Sequence, residues 1–424
     1  MKIHVKKSRL AGAIAVPGSK SHTIRAIAAA LMAEGESIIR APLVSADTLA
    51  TLRAAGQLGA VVRRADGLWR ITGCGGRFTP PQRTIDMENS GTGLRLLSAL
   101  AATQSFPVAF DGDASLRSRP MGPLLAALAE LGVAVESDDG RCPLRVRGPL
   151  RGGRASVEAV SSQFLSALLF AAPLALAPTA LDLTLLNERP YVEITLKWLD
   201  RLGVRYRASA DRMHYELPGN QKIGAFDVTI PADFSTAAFP LGAAALVGDG
   251  VDILNLDFQD VQGDKAVFDM FEAMGAKVER REKVTRVTAG RPLNALTLDL
   301  NATPDALPLL AVTAALTPGE TRLVNVPQAR LKETDRICCM CAELKKMGGE
   351  VEELPDGMII RGGKLTGAAL KSYGDHRIVM ALAVAALAAD GESVIDEAEA
   401  AAVTYPDFVA DFQRLGADIT VIKD

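Results

Sequence analysis

Histidine, tryptophan and cysteine are scarce in this chain. Its 424 residues include four histidines, two tryptophans and five cysteines, and aromatic side chains make up only 5%. The cysteines are Cys74, Cys142, Cys338, Cys339 and Cys341, an odd number without metal-site spacing, and there are few histidines to complete a metal set. A chain of this length buries a large core without disulfides, so free thiols in a reducing, cytoplasmic compartment are expected. Cationic excess is absent as well. Lys and Arg total 47 against 50 Asp and Glu, a formal net charge of −3. That balance excludes bulk nucleic-acid binding but permits a local basic pocket for a small anion. The N-terminal MKIHVKKSRL is basic with no apolar core behind it, and it reads as a first strand rather than a signal peptide. One stretch, Phe164 to Leu186, is nearly uncharged, but Pro173, Pro178 and Asp182 interrupt it. It predicts a buried helix followed by a strand, not a membrane span.

What the chain does have is a repeat. The phrases QLGAVV, ELGVAV, RLGVRY, AMGAKV, KMGGEV and RLGADI place glycines at 59, 132, 203, 275, 348 and 416, at intervals of 73, 71, 72, 73 and 68. Each reads as an amphipathic helix stopping at a glycine in a left-handed cap, followed by a β-branched strand. Upstream of each phrase, a polar cluster opens an Ala/Leu-rich helix, a strand follows, and a second helix runs into the glycine. The openings are Gly18-Ser19-Lys20-Ser21, Asn89-Ser90-Gly91-Thr92, Ser161-Ser162-Gln163, Ala232-Asp233-Phe234-Ser235, Thr303-Pro304-Asp305 and Gly374-Asp375-His376-Arg377. Units this small must pack on one another. A period near 72 is too long for a solenoid and predicts six α/β modules gathered into globular domains.

Helix starts expose unpaired N–H groups and a partial positive charge. Six such ends, brought together, make an anion site. Ser, Thr, Asn and Asp cap helices anywhere, so the cations carry the argument. Lys20, Arg25, His376 and Arg377 fall in first turns, where the dipole disfavours them. The run Lys332-Glu333-Thr334-Asp335-Arg336 adds four charges before an apolar and thiol segment.

The motifs PGSKSHTIR (17–25), NSGTGLR (89–95), LRSRPMGPLLAAL (116–128), SSQFLSALL (161–169), RLKETDR (330–336) and GDHRIVMA (374–381) resemble 5-enolpyruvylshikimate-3-phosphate synthase over essentially the whole chain. The resemblance implies an α/β fold of two similar domains, each of three α/β repeats. This is the inverted α/β barrel-like fold of enolpyruvyl transferases, with the active site in the interdomain cleft. Residues 1–16 plus 230–424 would form the domain containing both termini, and 17–229 the inserted continuous domain. The implied reaction joins phosphoenolpyruvate to the 5-hydroxyl of shikimate 3-phosphate, in the pathway to chorismate and aromatic amino acids. It implies no redox cofactor, no catalytic metal, no nucleic acid or membrane partner, and a cytoplasmic monomer.

The same resemblance assigns roles. Lys20 would contact both substrates. Ser21, Arg25, Ser161, Ser162 and Gln163 would hold shikimate 3-phosphate, together with Asp305, Gln328 and Lys332. Arg119, Arg336 and Arg377 would bind phosphoenolpyruvate with Gly91 and Gln163, and His376 would donate to its phosphate. Asp305 is the candidate base for the 5-hydroxyl and Glu333 the candidate for the methylene proton. Thr334 and Asp335 would support the helix start. Gly91 implies sensitivity to glyphosate, a competitor of phosphoenolpyruvate in this family. Two positions depart from the family pattern. Glu188 replaces a phosphate-holding serine before Arg189-Pro190-Tyr191, where Arg189 or another cation would have to offset it. Val403 replaces a lysine before Thr404-Tyr405-Pro406, which implies weaker phosphoenolpyruvate binding. The alternatives are the transferase acting on UDP-N-acetylglucosamine, opposed by a loop 113–120 without cysteine, and a relative that binds ligand without turnover.

Overall fold

The computed structural model describes residues 1–290 and 292–422. By its internal contacts the chain divides into two compact units, one of Met1–Pro17 with Pro231–Asp424 and one of Gly18–Ile230. Among the described residues the strands form six four-stranded sheets, three in each unit.

All six sheets share one plan. The second repeat of the Gly18–Ile230 unit shows it directly. Strand Ile85–Asp86 leads to helix Gly91–Ala101 and strand Val108–Asp111, and helix Gly122–Glu130 then leads to the hairpin Ala134–Asp138 and Arg141–Arg147. The first two strands are parallel, the second pairs antiparallel with the fourth, and the third lies at the edge. The third repeat runs from Gly153–Ala159 through helix Ser162–Ala171, strand Thr179–Leu186 and helix Arg189–Arg201 to His214–Leu217. The nearly uncharged stretch at 164–186 is thus a buried helix and a strand, as the proline positions predict. In the other unit, the repeat built on helix Leu307–Ala315 runs from Thr297–Asp299 to Gly357–Gly362 by the same route.

The remaining repeats are completed by strands from far along the chain. Helix Lys20–Met32 belongs to a sheet whose first strand is Asp227–Thr229, parallel to Glu36–Arg40. Helix Phe234–Val247 belongs to a sheet whose first strand is Leu10–Ala15, parallel to Gly248–Leu254. Both passages of the chain from one unit to the other therefore fall at the same point of a repeat, between first strand and first helix. In the last repeat, built on helix His376–Ala388, the fourth strand is Lys2–Lys6, antiparallel to both Glu392–Ile395 and Ile419–Ile422.

The first helix of each repeat is buried along most of its length. From His22 to Met32 every residue is buried, as is every residue from His376 to Leu387. A helix in such a position must be apolar all round, which explains the Ala/Leu-rich composition. In the Gly18–Ile230 unit, helix Gly91–Ala101 packs on both Lys20–Met32 and Ser162–Ala171; in the other, helices Phe234–Val247, Leu307–Ala315 and His376–Ala388 pack on one another. The second helices end at the repeat glycines. All six, Gly59, Gly132, Gly203, Gly275, Gly348 and Gly416, have positive φ, from 67° to 111°, as the left-handed cap requires. No helix among the described residues is long and apolar enough to cross a membrane.

The N-terminal strand is the most exacting test of this architecture, because Ile3 and Val5 are fully buried while their partners lie near the other end of the chain. Ile3→Ala is expected to destabilise by about 3 kcal/mol, the usual range for an aliphatic truncation in a core. Hydrogen exchange should then accelerate in Glu392–Ile395 and Ile419–Ile422, with protection of Gly18–Ile230 retained.

Candidate active site

Each unit gathers candidate residues at the starts of its buried helices. In the Gly18–Ile230 unit, Ser19 caps the first helix and Lys20 is its first residue. Lys20 Nζ lies 3.1 Å from Asp47 Oδ2. The nearly buried Asp47 opens the Ala46–Gln57 helix, where a carboxylate suits the dipole. A protein carboxylate therefore accompanies this cation. Arg25 lies one turn further in than the sequence reading placed it, because the helix begins at Lys20. It is buried, and four of its N–H groups donate to Thr195 Oγ1 (2.9 Å), the Ser21 carbonyl (3.1 Å), Ser166 Oγ (3.3 Å) and the Tyr191 carbonyl (3.1 Å). These partners tie three helices together, and none carries a charge. Burial pulls Arg25 down to about 10, so it stays charged at neutral pH.

At the next helix start, Gly91 sits between two guanidiniums. A Cβ at Gly91 would stand 2.7 Å from Arg95 Nη1 and 2.8 Å from Arg119 Nη1. Arg119 donates to the Asn89 side chain and to Ser115 Oγ at 3.1 Å. Arg95 donates to Gln163 Oε1 at 2.9 Å and to the Pro120 carbonyl at 3.0 Å, and its guanidinium covers the Phe164 ring at 5.4 Å. Arg95 is the buried cation that the residue-by-residue reading passed over. It lies four residues after Gly91, on the same helix face, and that spacing was the clue.

Ser161 caps the Ser162–Ala171 helix. Its hydroxyl and both donors of Ser162 meet Glu188 Oε2, at 3.4 Å from Ser161 Oγ, 3.2 Å from Ser162 N and 2.8 Å from Ser162 Oγ. Arg189 Nε lies 3.8 Å from a carboxylate oxygen of Glu193, one helix turn on.

In the other unit, Arg336 is the hub. Its Nη1 lies 2.8 Å from Asp305 Oδ1, its Nη2 2.7 Å from Glu333 Oε2, and its Nε 2.8 Å from Asp375 Oδ2. Arg377 Nη2 reaches Asp305 Oδ2 at 3.2 Å. Asp375 also caps the His376–Ala388 helix, accepting from the Arg377 and Ile378 amides. Asp335 caps the Arg336–Lys346 helix through Cys338 N and pairs with Arg330 at 2.6 Å. Thr334 Oγ1 lies 3.4 Å from Asp375 Oδ2, the cap of the His376–Ala388 helix. Gln328 is buried and donates to the Asn301 carbonyl at 3.0 Å. Val403 ends a short 3₁₀ segment ahead of buried Thr404 and Tyr405.

The electrostatics follow from this geometry. Burial raises the proton affinity of Asp305, but Arg377, Arg336 and Lys332 outweigh it and hold the carboxyl well below the usual carboxylate range. Burial likewise opposes the charge on Arg336, and Asp375, Glu333 and Asp305 raise it nonetheless. Ligand atoms of Glu333, Asp375 and His376 lie within 4.8 Å of one another. Arg336 already pairs with both of these carboxylates, which makes the group an ion-pair network rather than a cage for a hard cation.

The comparisons with known proteins agree with one another. The family model for EPSP synthase (3-phosphoshikimate 1-carboxyvinyltransferase) matches residues 5–412. The chain belongs to this family. It is 47% identical to the 3-phosphoshikimate 1-carboxyvinyltransferase of Acetivibrio thermocellus and 45% identical to that of Ruminiclostridium cellulolyticum, each over 100% of both chains. A solved EPSP synthase from Acinetobacter baumannii superimposes with a TM-score of 0.84 at 27% identity, covering 100% of each chain. EPSP synthase family membership accounts for the α/β fold of repeated modules, and it favours shikimate 3-phosphate over UDP-N-acetylglucosamine as the acceptor.

Asp305→Asn gives a pH-dependent test of the hub. The folded-state affinity of Asp305 for protons is depressed, so its stabilisation is complete above the unfolded value of about 3.9 and is lost as pH falls toward the folded value. The variant should lose about 3 kcal/mol at neutral pH. The gap between wild type and variant should stay constant from pH 8 to 5 and narrow only below about pH 4. Chemical denaturation at each pH measures it.

Proposed function

We propose that this chain transfers the enolpyruvyl group of phosphoenolpyruvate to the 5-hydroxyl of shikimate 3-phosphate and releases inorganic phosphate. Full-length membership of the EPSP synthase family carries the reading. Buried arginines at helix starts support it, since two polyanionic substrates need fixed cations. Lys20, Ser21, Arg25, Ser161, Ser162 and Gln163 hold shikimate 3-phosphate, with Asp305, Gln328 and Lys332. Arg119, Arg336 and Arg377, with Lys20, Gln163 and the bare backbone of Gly91, hold phosphoenolpyruvate, and Arg95 positions Gln163. A cytoplasmic monomer completes the reading, and the five cysteines are free thiols, as a reducing compartment would keep them.

In the reaction, the 5-oxygen bonds to C2 of phosphoenolpyruvate, its proton passes to a base, and C3 gains a proton. The tetrahedral adduct then loses the C3 proton and expels phosphate, restoring the double bond. Asp305 serves as the base and Glu333 handles the methylene proton, while His376 donates to the departing phosphate. In the free protein Asp305 is a weak base, because two guanidiniums hold it. When the anions of phosphoenolpyruvate draw Arg336 and Arg377, the proton affinity of Asp305 rises. The base is thus strengthened by the substrate that must be attacked.

The deciding experiment measures inorganic phosphate from purified protein with both substrates and with each omitted. Release that requires both is expected; tight binding of shikimate 3-phosphate without release would indicate a ligand-binding relative. Gly91→Ala should displace the Arg95 and Arg119 guanidiniums and raise the KM for phosphoenolpyruvate about tenfold, the worth of one charge-assisted hydrogen bond. The KM for shikimate 3-phosphate should stay within about twofold, below the scale of one such bond.

A further inference from the structure

Glu188 is a carboxylate where an anionic substrate would have to bind. It is 1% exposed, and its backbone is left-handed, with φ 56° and ψ 38°. That conformation is uncommon for a residue with a long side chain, and here it turns the carboxylate toward the start of the Ser162–Ala171 helix. One oxygen, Oε2, receives the Ser162 amide at 3.2 Å, the Ser162 hydroxyl at 2.8 Å and the Ser161 hydroxyl at 3.4 Å. Two hydroxyls and a helix-start amide on a single oxygen form the donor set that receives a phosphate oxygen. Ser161 and Ser162 are the serines assigned above to the phosphate of shikimate 3-phosphate, and the inference rests on that assignment.

We propose that Glu188 is a resident anion, a specificity-determining residue that competes with the substrate phosphate for the donors of Ser161 and Ser162. Phosphate and carboxylate cannot share those donors, because each donor bonds one oxygen well and the two anions repel. Binding therefore includes withdrawal of the Glu188 side chain. In the free protein the same carboxylate satisfies donors that would otherwise be buried without partners. Glu188 thus stabilises the empty site and weakens the affinity for the phosphorylated ligand.

A residue that merely caps the helix would lower stability when removed and leave affinity unchanged or weaker. A resident anion predicts the opposite sign for affinity. The test uses the full chain with Glu188→Gln, which keeps the length without the charge, and Glu188→Ser, which removes both. Calorimetry gives the Kd for shikimate 3-phosphate and for unphosphorylated shikimate. Both variants should bind shikimate 3-phosphate at least about tenfold more tightly, the scale of one hydrogen bond to a charged group. Shikimate affinity should stay within about twofold, because it presents no phosphate to those donors. The free variants should melt earlier than wild type and gain more in Tm from shikimate 3-phosphate. Unchanged or weaker affinity in both variants overturns the inference. Phosphate release by the wild type in the two-substrate assay separates this failure from failure of the functional reading. With release intact, only the competition falls; if the wild type neither binds shikimate 3-phosphate nor releases phosphate, both fall.

Discussion

A helix buried along its whole length can carry a polar or charged group only where that group finds a partner. That constraint governs this chain. Six modules each contribute one apolar helix, and each unit packs its three helices together, in the Gly18–Ile230 unit through the central Gly91–Ala101 helix. Nothing along such a helix can hold a charge without a partner, so hydroxyls, cations and carboxylates collect in the first turns. Helix starts also expose unpaired amides, which favour anions. The cations would be unfavourable so close to the positive end of the dipole. Protein carboxylates offset that penalty: Asp47 beside Lys20, and Asp305, Glu333 and Asp375 around Arg336. The sequence-level argument that a bound anion must explain these cations is therefore incomplete, because the protein supplies anions of its own.

This arrangement has a chemical consequence. A buried arginine with no partner would be costly in the free protein. Paired with carboxylates, it is stable and can still exchange partners when a stronger anion arrives. Arg336 and Arg377 share Asp305, so any ligand that draws them away alters the proton affinity of that carboxylate. On the proposed assignment of Asp305 as the base, substrate binding and proton transfer are linked through that one side chain.

Much of the fold was legible because it is local. The six glycine caps, the order of helix and strand within a module, and the helix–strand reading of 164–186 all follow from nearest-neighbour chemistry. Strand pairing was harder to read. A period of about 72 residues shows six modules, yet it does not show that Asp227–Thr229 completes the first module or that Lys2–Lys6 completes the last. Those pairings are set by packing across the chain, which leaves no periodic mark. The site divides in the same way. Ser161, Asp335 and Asp375 were recognisable as helix-start residues and are caps. The partners of Arg25, and the place of Arg95 beside Gly91, depend on which helices touch.

Gly91 and Glu188 show opposite ways of tuning such a helix start. At Gly91 the absence of a side chain leaves Arg95 and Arg119 close to bare backbone, so a small anion can approach the amides and both guanidiniums together. At Glu188 a side chain is added, and it fills the corresponding place at the Ser162 helix with an anion of the protein's own. Both act on the same quantity, the number of donors left for a ligand. A module repeated six times can acquire different specificities this way, without altering the buried helices on which its stability rests.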